Sequence, residues 1–360
     1  MKNSLKAVIY PINKEYVEIL KYKEIVKKYE EIIPVCLSGQ GIEHRDAGEL
    51  VKGKLLGIEI MADFEICMQD ADDIIFTEFS DVVFDKMMYS IEHKKNIVCL
   101  FELEDEMNRT ITGKCIENGV HFKNYCDSYA AYDMLKEKLK EKKIKEMNVP
   151  TLLICGLSEY TNKFEVQLRV REEFKKRGYC VSQIGSKKYS RIFEMHNFPK
   201  FMFQNIPEID KIYLFNSYVK QIEIKEHPDI IIIGVPGGIM PYDMDHPNGF
   251  GIVNYLVSNA LSVDSTLLCL AYNEYEDSFW EFIADYMQYR YEYSVQSFHL
   301  ANVFHDIYGD ERNEGERLVY MKQKKVDEKI ESFDGKKVFN INNEETFRKE
   351  MDELINYLTN

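Results

Sequence analysis

The sequence lacks most of the features that assign a function quickly. No apolar run approaches the ~18 residues of a membrane span, and none of its eight cysteines pairs with another at CxxC spacing. A zinc site or a dithiol redox motif needs such clustering, and the eight histidines are equally dispersed. Several cysteines lie inside apolar runs such as Ile97–Leu100 and Leu267–Leu270, so the set reads as reduced core residues. Positive charge is short as well: 46 Lys and Arg stand against 61 Asp and Glu, a formal net charge of −15. Nucleic acid and anionic membranes demand a basic footprint, so neither is an expected partner. There is no GxSxG nucleophile elbow. The start, Met1-Lys-Asn-Ser-Leu-Lys6, runs into a strand-like segment rather than a signal peptide, and the expected location is the cytoplasm.

What is present is an alternation of strand and helix patterns over 360 residues that are 45% hydrophobic, enough for the cores of two ordinary domains. In the first half, strands fit Leu5–Tyr10, Glu31–Leu37, Leu55–Ile60, Asp73–Thr77 and Asn96–Phe101. Helices fit Glu15–Lys28, Phe64–Asp70, Val83–His93 and Ser128–Lys142. The charged stretch Lys136–Met147, most simply a solvated helix face, runs into Asn148-Val-Pro150, where proline discourages helix. The second half restarts with a strand at Thr151–Cys155, a helix at Phe164–Arg177 and strands at Tyr179–Ile184, Asp229–Ile233 and Thr266–Ala271. It closes with helices at Phe279–Tyr289 and Glu344–Leu358 around a short strand at Lys337–Ile341. The expected fold class is therefore α/β, with two αβ domains built on mainly parallel sheets: residues 1–147, Rossmann-like, and residues 151–360, P-loop-like. The first turn, Tyr10–Glu15, contains no glycine, so a dinucleotide has no GxGxxG bed there. The first half reads as a recognition or structural domain.

The stretch Thr151–Phe164 is the most informative. An apolar run breaks at Gly156, passes a polar loop and reaches Lys163 where an amphipathic helix begins. In a P-loop that arrangement aims backbone N–H groups at a phosphate while the lysine adds a point charge. This chain departs from the standard spacing: Gly156 lies one residue further from Lys163, Asn162 replaces the second glycine, and Phe164 replaces the metal-binding hydroxyl. Asn tolerates the left-handed conformation that glycine would supply. Phe164 cannot ligate Mg²⁺, which would need Thr161, Ser158 or water. An ordinary strand-loop-helix unit with a surface lysine explains the same residues.

A second stretch, Asp229–Asp243, pairs a buried-looking strand with a loop carrying Gly234, Gly237 and Gly238. Parallel sheets place ligands at such strand ends, and this loop shares an edge with Lys163. No acid ends the strand, since Gly234 occupies that region and Asp229 lies at its start. Asp243, Asp245 and His246 suit a small metal or acid-base cluster, though such trios are commonly surface loops. His299, His305, Asp306, Asp310 and Glu311 fit no metal spacing. Aromatics at Phe201, Phe203, Tyr213, Phe215 and Tyr218, and from Trp280 to Tyr293, suit core packing or a peptide-binding cleft.

Gly156 and Thr161-Asn-Lys-Phe164, continuing as Gln167–Arg171, Gly178-Tyr179, Gln183-Ile-Gly185 and Phe198-Pro199, resemble a P-loop-like family carrying Gly, five residues, then Gly-Lys-Phe. That family joins a Rossmann-like half to a P-loop-like half, and Asp46–Glu49 and Asp70–Phe76 look like its N-terminal patterns. Within it the chain looks most like clostridial peptide maturation system proteins of bacteriocin-like natural-product clusters. The resemblance implies an accessory role beside a Cys-rich precursor peptide and a radical maturase. The family pattern assigns Gly156, Lys163 and Phe164 to a degenerate P-loop, and with Ser158, Thr161, Asn162, Gly237 and Gly238 read from the residues themselves these make the candidate site for ATP or another nucleotide with Mg²⁺, or for a partner. An ATP-dependent ligase or kinase-like enzyme and a non-catalytic peptide-binding adaptor are the alternatives.

Overall fold

The computed structural model describes residues 5–126, 142–241, 243, 245, 247–306 and 317–359. They fall into two compact units: one within Met1–Asp127 and Lys188–Glu194, the other within Ser128–Lys187 and Met195–Asn360. The α/β class with parallel sheets expected from the sequence is what the chain adopts.

In the first unit, strands β1 (Leu5–Tyr10), β2 (Tyr29–Pro34), β3 (Asp73–Phe76), β4 (Asn96–Cys99) and β5 (Phe122–Asn124) form a sheet in the order β2-β1-β3-β4-β5. All its pairings are parallel. Helices α1 (Val17–Lys21), α2 (Phe64–Gln69), α3 (Asp81–Glu92) and α4 (Asp105–Asn118) connect or flank the strands. The α2 and α3 starts are set locally: Asp63 and Ser80 accept the N–H groups of Ile66 and Val83, which satisfies orphan donors of the first turn.

Two expectations fail here for local reasons. Leu55–Ile60 is no strand, because the Asp46 carboxylate takes the N–H groups of Leu56, Gly57 and Ile58, at 2.7–3.1 Å, that a ladder would need. The long helix over Glu15–Lys28 shrinks to a 3₁₀ turn at Lys14–Tyr16 and the short α1, since β2 already begins at Tyr29. The helix expected over Ser128–Lys142 lies outside the described residues, except for Lys142.

The second unit is a seven-stranded sheet of order β14-β11-β10-β6-β9-β7-β8, again parallel at each pairing. The strands are β6 (Thr151–Gly156), β7 (Val181–Gly185), β8 (His196–Asn197), β9 (Ile230–Gly238), β10 (Ser265–Leu270), β11 (Val295–Leu300) and β14 (Val338–Phe339). A separate antiparallel pair joins β12 (Val303–Asp306) to β13 (Arg317–Tyr320). β6 and β10 are buried at every residue, as is β9 from Ile230 to Val235. These are the near-continuous apolar runs that a sheet covered on both faces requires.

Helices α5 (Lys163–Lys176), α6 (Glu208–Glu226), α7 (Ile252–Ala260), α8 (Asp277–Tyr291), α9 (Gln323–Glu331) and α10 (Glu344–Thr359) complete the unit. One core gathers Leu153, Ile233, Phe215, Leu268 and Trp280, and a second gathers Ile154, Val170, Cys269, Phe347 and Met351. β6 is central, with β9 on one side and β10 on the other, so its carboxyl end is the topological switch point where such sheets place ligands. No helix among the described residues is long and apolar enough to cross a membrane.

Candidate functional site

The loop after β6 is held at that switch point from both sides. Leu157 N–H donates to the Cys269 carbonyl at 2.8 Å, and Ile239 N–H reaches the Gly156 and Leu157 carbonyls at 3.1 and 3.3 Å. The loop then folds over Gly156, where a Cβ would stand 2.6 Å from both the Ser158 carbonyl oxygen and the Thr161 hydroxyl. That close approach is why glycine stands there. Ser158 and Thr161 are buried and spend their hydroxyls on the loop itself: Ser158 Oγ donates to the Glu159 carbonyl at 3.0 Å, and Thr161 Oγ1 to the Ser158 carbonyl at 3.4 Å. Two non-glycine residues take left-handed backbone, Tyr160 at φ 59° and Asn162 at φ 54°. Asn162 is thus doing the conformational work of the missing second glycine, at the N-cap of α5.

Lys163 opens α5, yet its side chain is 9% exposed. Its ammonium turns back into the loop, donating to the Gly237 carbonyl at 2.5 Å and to Glu159 Oε2 at 3.2 Å. Among the described residues no acceptor meets the N–H groups of Thr161, Asn162 and Lys163, and the start of α5 sets the positive end of its dipole beside this charge. Burial works to raise the Glu159 carboxyl, but Lys163, Lys187 and the Gly237 N–H outweigh it and hold the group below the usual carboxylate range.

β9 supplies the opposite wall. It runs through Gly237 and Gly238 to its end, so these two glycines lie in the strand rather than in the loop the sequence suggested. Gly237 has φ 79°, and a Cβ on Gly238 would fall 1.8 Å from Asn248 Nδ2. Asn248 needs that space, because its amide ties the Leu157 carbonyl at 3.1 Å to the Met240 carbonyl at 3.0 Å. Gly234 is filled from the other face by Gln167, whose side chain would lie 2.1 Å from a Cβ there. Asp229 stays at the amino end of β9, where its carboxylate accepts the Cys180 N–H at 2.7 Å. No carboxylate ends β9.

His299, on β11, is fully buried, and neither ring nitrogen meets a partner of good geometry. Burial pushes it down to about 3, and the Thr161 backbone, the polar group it faces, acts in the opposite direction. Its ring meets Phe339 edge-on at 5.4 Å. His305, on β12, packs against Tyr160 with centroids 4.8 Å apart.

Of the residues singled out from the sequence, Gly156, Ser158, Thr161, Asn162, Lys163, Gly237 and Gly238 come together here. Phe164 is buried behind them. Asp243 accepts the Asp245 N–H at 2.8 Å, while His246, Asp310 and Glu311 lie outside the described residues. No cluster of three His, Cys, Asp or Glu side chains is placed to hold a metal among the described residues. The aromatics divide: Phe201, Phe215, Trp280, Tyr291 and Tyr293 are core, while Phe203, Phe282 and Tyr289 are exposed. Burial raises the Cys155 thiol to about 12, in keeping with a core cysteine. Glu159, Asn248 and Lys187 join the site without having been singled out. The spacing of Glu159 four residues before Lys163 was the one available signal.

In the first unit two tyrosines cover the carboxyl end of the sheet. Tyr16 is buried and donates to the Thr77 carbonyl at 2.8 Å and the Leu100 carbonyl at 3.3 Å, across the ends of β3 and β4. Tyr189, from the Lys188–Glu194 segment, packs tilted against it with ring centroids 5.0 Å apart and donates to the Glu15 carbonyl at 2.6 Å.

No family model matches this chain, and no curated protein does. Its fold is similar along its length to the crystal structure of a DUF1611 family protein from Anabaena variabilis, at 10% identity and TM-score 0.62, covering 100% of this chain and 99% of that one. Partial likenesses include a homoserine dehydrogenase from S. aureus, at 14% identity and TM-score 0.26 over 38% of this chain and 39% of that one. Another is the kinase domain of the Escherichia coli tyrosine kinase ETK, at 13% identity and TM-score 0.30 over 47% and 72%. At 10% identity the likeness to the DUF1611 family protein is one of fold.

Proposed function

We propose that this chain is an accessory protein in the maturation of a ribosomally made peptide natural product, and that its second unit binds a phosphate-bearing ligand or partner through the loop 156–164. The observation that carries the binding part is the Lys163 ammonium, 9% exposed and turned into a loop whose Thr161, Asn162 and Lys163 N–H groups meet no acceptor among the described residues. A charge buried against open helix N–H groups suits an anion. The maturation context rests on the sequence resemblance, with a Cys-rich precursor peptide and a radical maturase as expected partners.

The residues fit the phosphate part of a nucleotide and fit Mg²⁺ poorly. The hydroxyls of Ser158 and Thr161 are bonded to the loop's own carbonyls, Phe164 offers no oxygen, and β9 ends without an acid. A ligase or kinase-like activity needs such a metal clamp on the transferring phosphoryl group, so binding is favoured over turnover.

Titrating the full chain with ATP and with inorganic pyrophosphate, each with and without Mg²⁺, tests the binding reading. Metal-independent binding is expected, and Mg²⁺-dependent turnover would move the assignment to the enzyme. Capture of the precursor peptide by nucleotide-free protein, with no phosphate binding at any concentration, would instead leave a peptide adaptor.

A further inference from the structure

Glu159 stands where an anion would. Its carboxylate receives the Lys163 ammonium at 3.2 Å, from four residues along the loop, and lies against the Gly237 N–H and the charge of Lys187. Gly237 therefore serves both partners: its N–H faces the carboxylate, and its carbonyl takes the lysine at 2.5 Å. Lysine, strand-end amide and a second cation around one carboxylate are the donors that a loop of this kind offers to a phosphate. Glu159 is nevertheless half-exposed, with a side-chain exposure of 54%, and sits on a loop beside left-handed Tyr160, so it has somewhere to go.

We infer that the Glu159 carboxylate occupies the phosphate seat of the empty loop and must be displaced by the ligand, so that the site selects dianionic terminal phosphoryl groups over phosphodiesters and carboxylates. The inference rests on the phosphate-binding reading above. The physical reason is charge: Glu159 already offers one negative charge with no entropy of association to lose, because it is part of the chain. A monoanion replaces it at no electrostatic gain, whereas a phosphomonoester or pyrophosphate end brings more charge and further acceptor oxygens to Lys163, Lys187 and the open N–H groups.

The test is calorimetric titration of the full chain, as wild type, Glu159→Gln and Lys163→Ala, with inorganic pyrophosphate, dimethyl phosphate and acetate. Wild type is expected to take pyrophosphate and neither monoanion. Glu159→Gln removes the competitor and should tighten pyrophosphate by roughly tenfold, about the worth of one charge-assisted hydrogen bond, and should begin to take dimethyl phosphate. Lys163→Ala should weaken pyrophosphate by about tenfold or more. Pyrophosphate binding to wild type that is unchanged or weaker in Glu159→Gln overturns the displacement while leaving the phosphate reading intact. Absence of binding in wild type and Glu159→Gln alike sinks both. Should Glu159→Gln fail to fold, the Gly237 amide resonance of the wild type decides: displacement requires it to shift on adding pyrophosphate, and an unmoved resonance at saturation overturns the inference.

Discussion

Lys163 carries its charge to a place that water barely reaches, and among the described residues the groups that meet its ammonium are a carbonyl and a carboxylate of the chain itself. Removing the ammonium should lower affinity for a phosphate ligand by about 1.5–3 kcal/mol, the range for a hydrogen bond to a charged group. The check is pyrophosphate titration of Lys163→Ala against wild type, with unchanged affinity in a folded variant counting against the loop. His299 supports a second residue-scale expectation. Held down to about 3 by burial, it stays neutral in the folded chain, while the unfolded chain takes up a proton as pH falls below the ordinary 6.5. Between those values the unfolded state binds more protons, so acidification destabilises the fold and the contribution is complete only above pH 6.5. His299→Leu should therefore reduce the loss of stability between pH 7 and pH 5 by about 1–2 kcal/mol. Trp280, the sole tryptophan, is buried in the second unit's core and reports that unfolding by fluorescence in urea. Equal pH dependence in the two proteins would show that His299 already charges in the folded state. The sequence marked His299 as a polar residue of no motif, since burial beneath Thr161 depends on the register of β11 beside β10 and on nothing local.

Elements were legible where one pattern dominated. β6, β9 and β10 are dominated by apolar residues and α10 buries a regular stripe, so these four follow from periodicity, while α5 keeps Phe164, Val166, Leu168, Val170 and Phe174 inside beside buried Gln167, Arg171 and Glu173. α4 escaped notice because it buries just Ile111 and Cys115. α6 did so because its buried positions include Lys211, Asn216, Ser217 and Glu223, which break any apolar stripe. The Asp46 carboxylate, collecting N–H groups from ten and more residues away, could not be read from a strand propensity either. The junction of β9 with the loop after β6 is an element-scale device: Asn248 stitches Leu157 to Met240 through the space that Gly238 leaves. Gly238→Ala should destabilise the second unit by about 1–3 kcal/mol through overpacking. The same change should cost less in an Asn248→Ala background, where the clashing amide is gone. Urea unfolding followed at Trp280 for the four proteins measures this coupling, and strict additivity would separate the glycine from the asparagine.

At the scale of the whole molecule, two parallel sheets each present a switch point, and the chain treats them differently. In the first, Tyr16 and Tyr189 cover the strand ends at β3 and β4, Tyr189 arriving from a segment between β7 and β8 that no local pattern connects to the first unit. The second holds the Lys163 loop. Residues 156–164 and the glycines of β9 were readable as a candidate phosphate site because strand, glycine and lysine are consecutive in sequence and parallel strand ends share an edge, whereas the walls contributed by Asn248 and Lys187 depend on tertiary structure. These same walls bear on turnover. Phosphoryl transfer is driven by positioned metal ions and cations that neutralise charge developing on the transferring group. Here the loop hydroxyls are bonded inward, β9 ends in glycine, and the Glu159 carboxylate is engaged with Lys163. Phosphate release from ATP by the isolated chain should therefore stay near background at saturating nucleotide and Mg²⁺. A steady-state phosphate assay checks this, and robust turnover that disappears in Lys163→Ala would replace the accessory reading with an ATP-dependent enzyme.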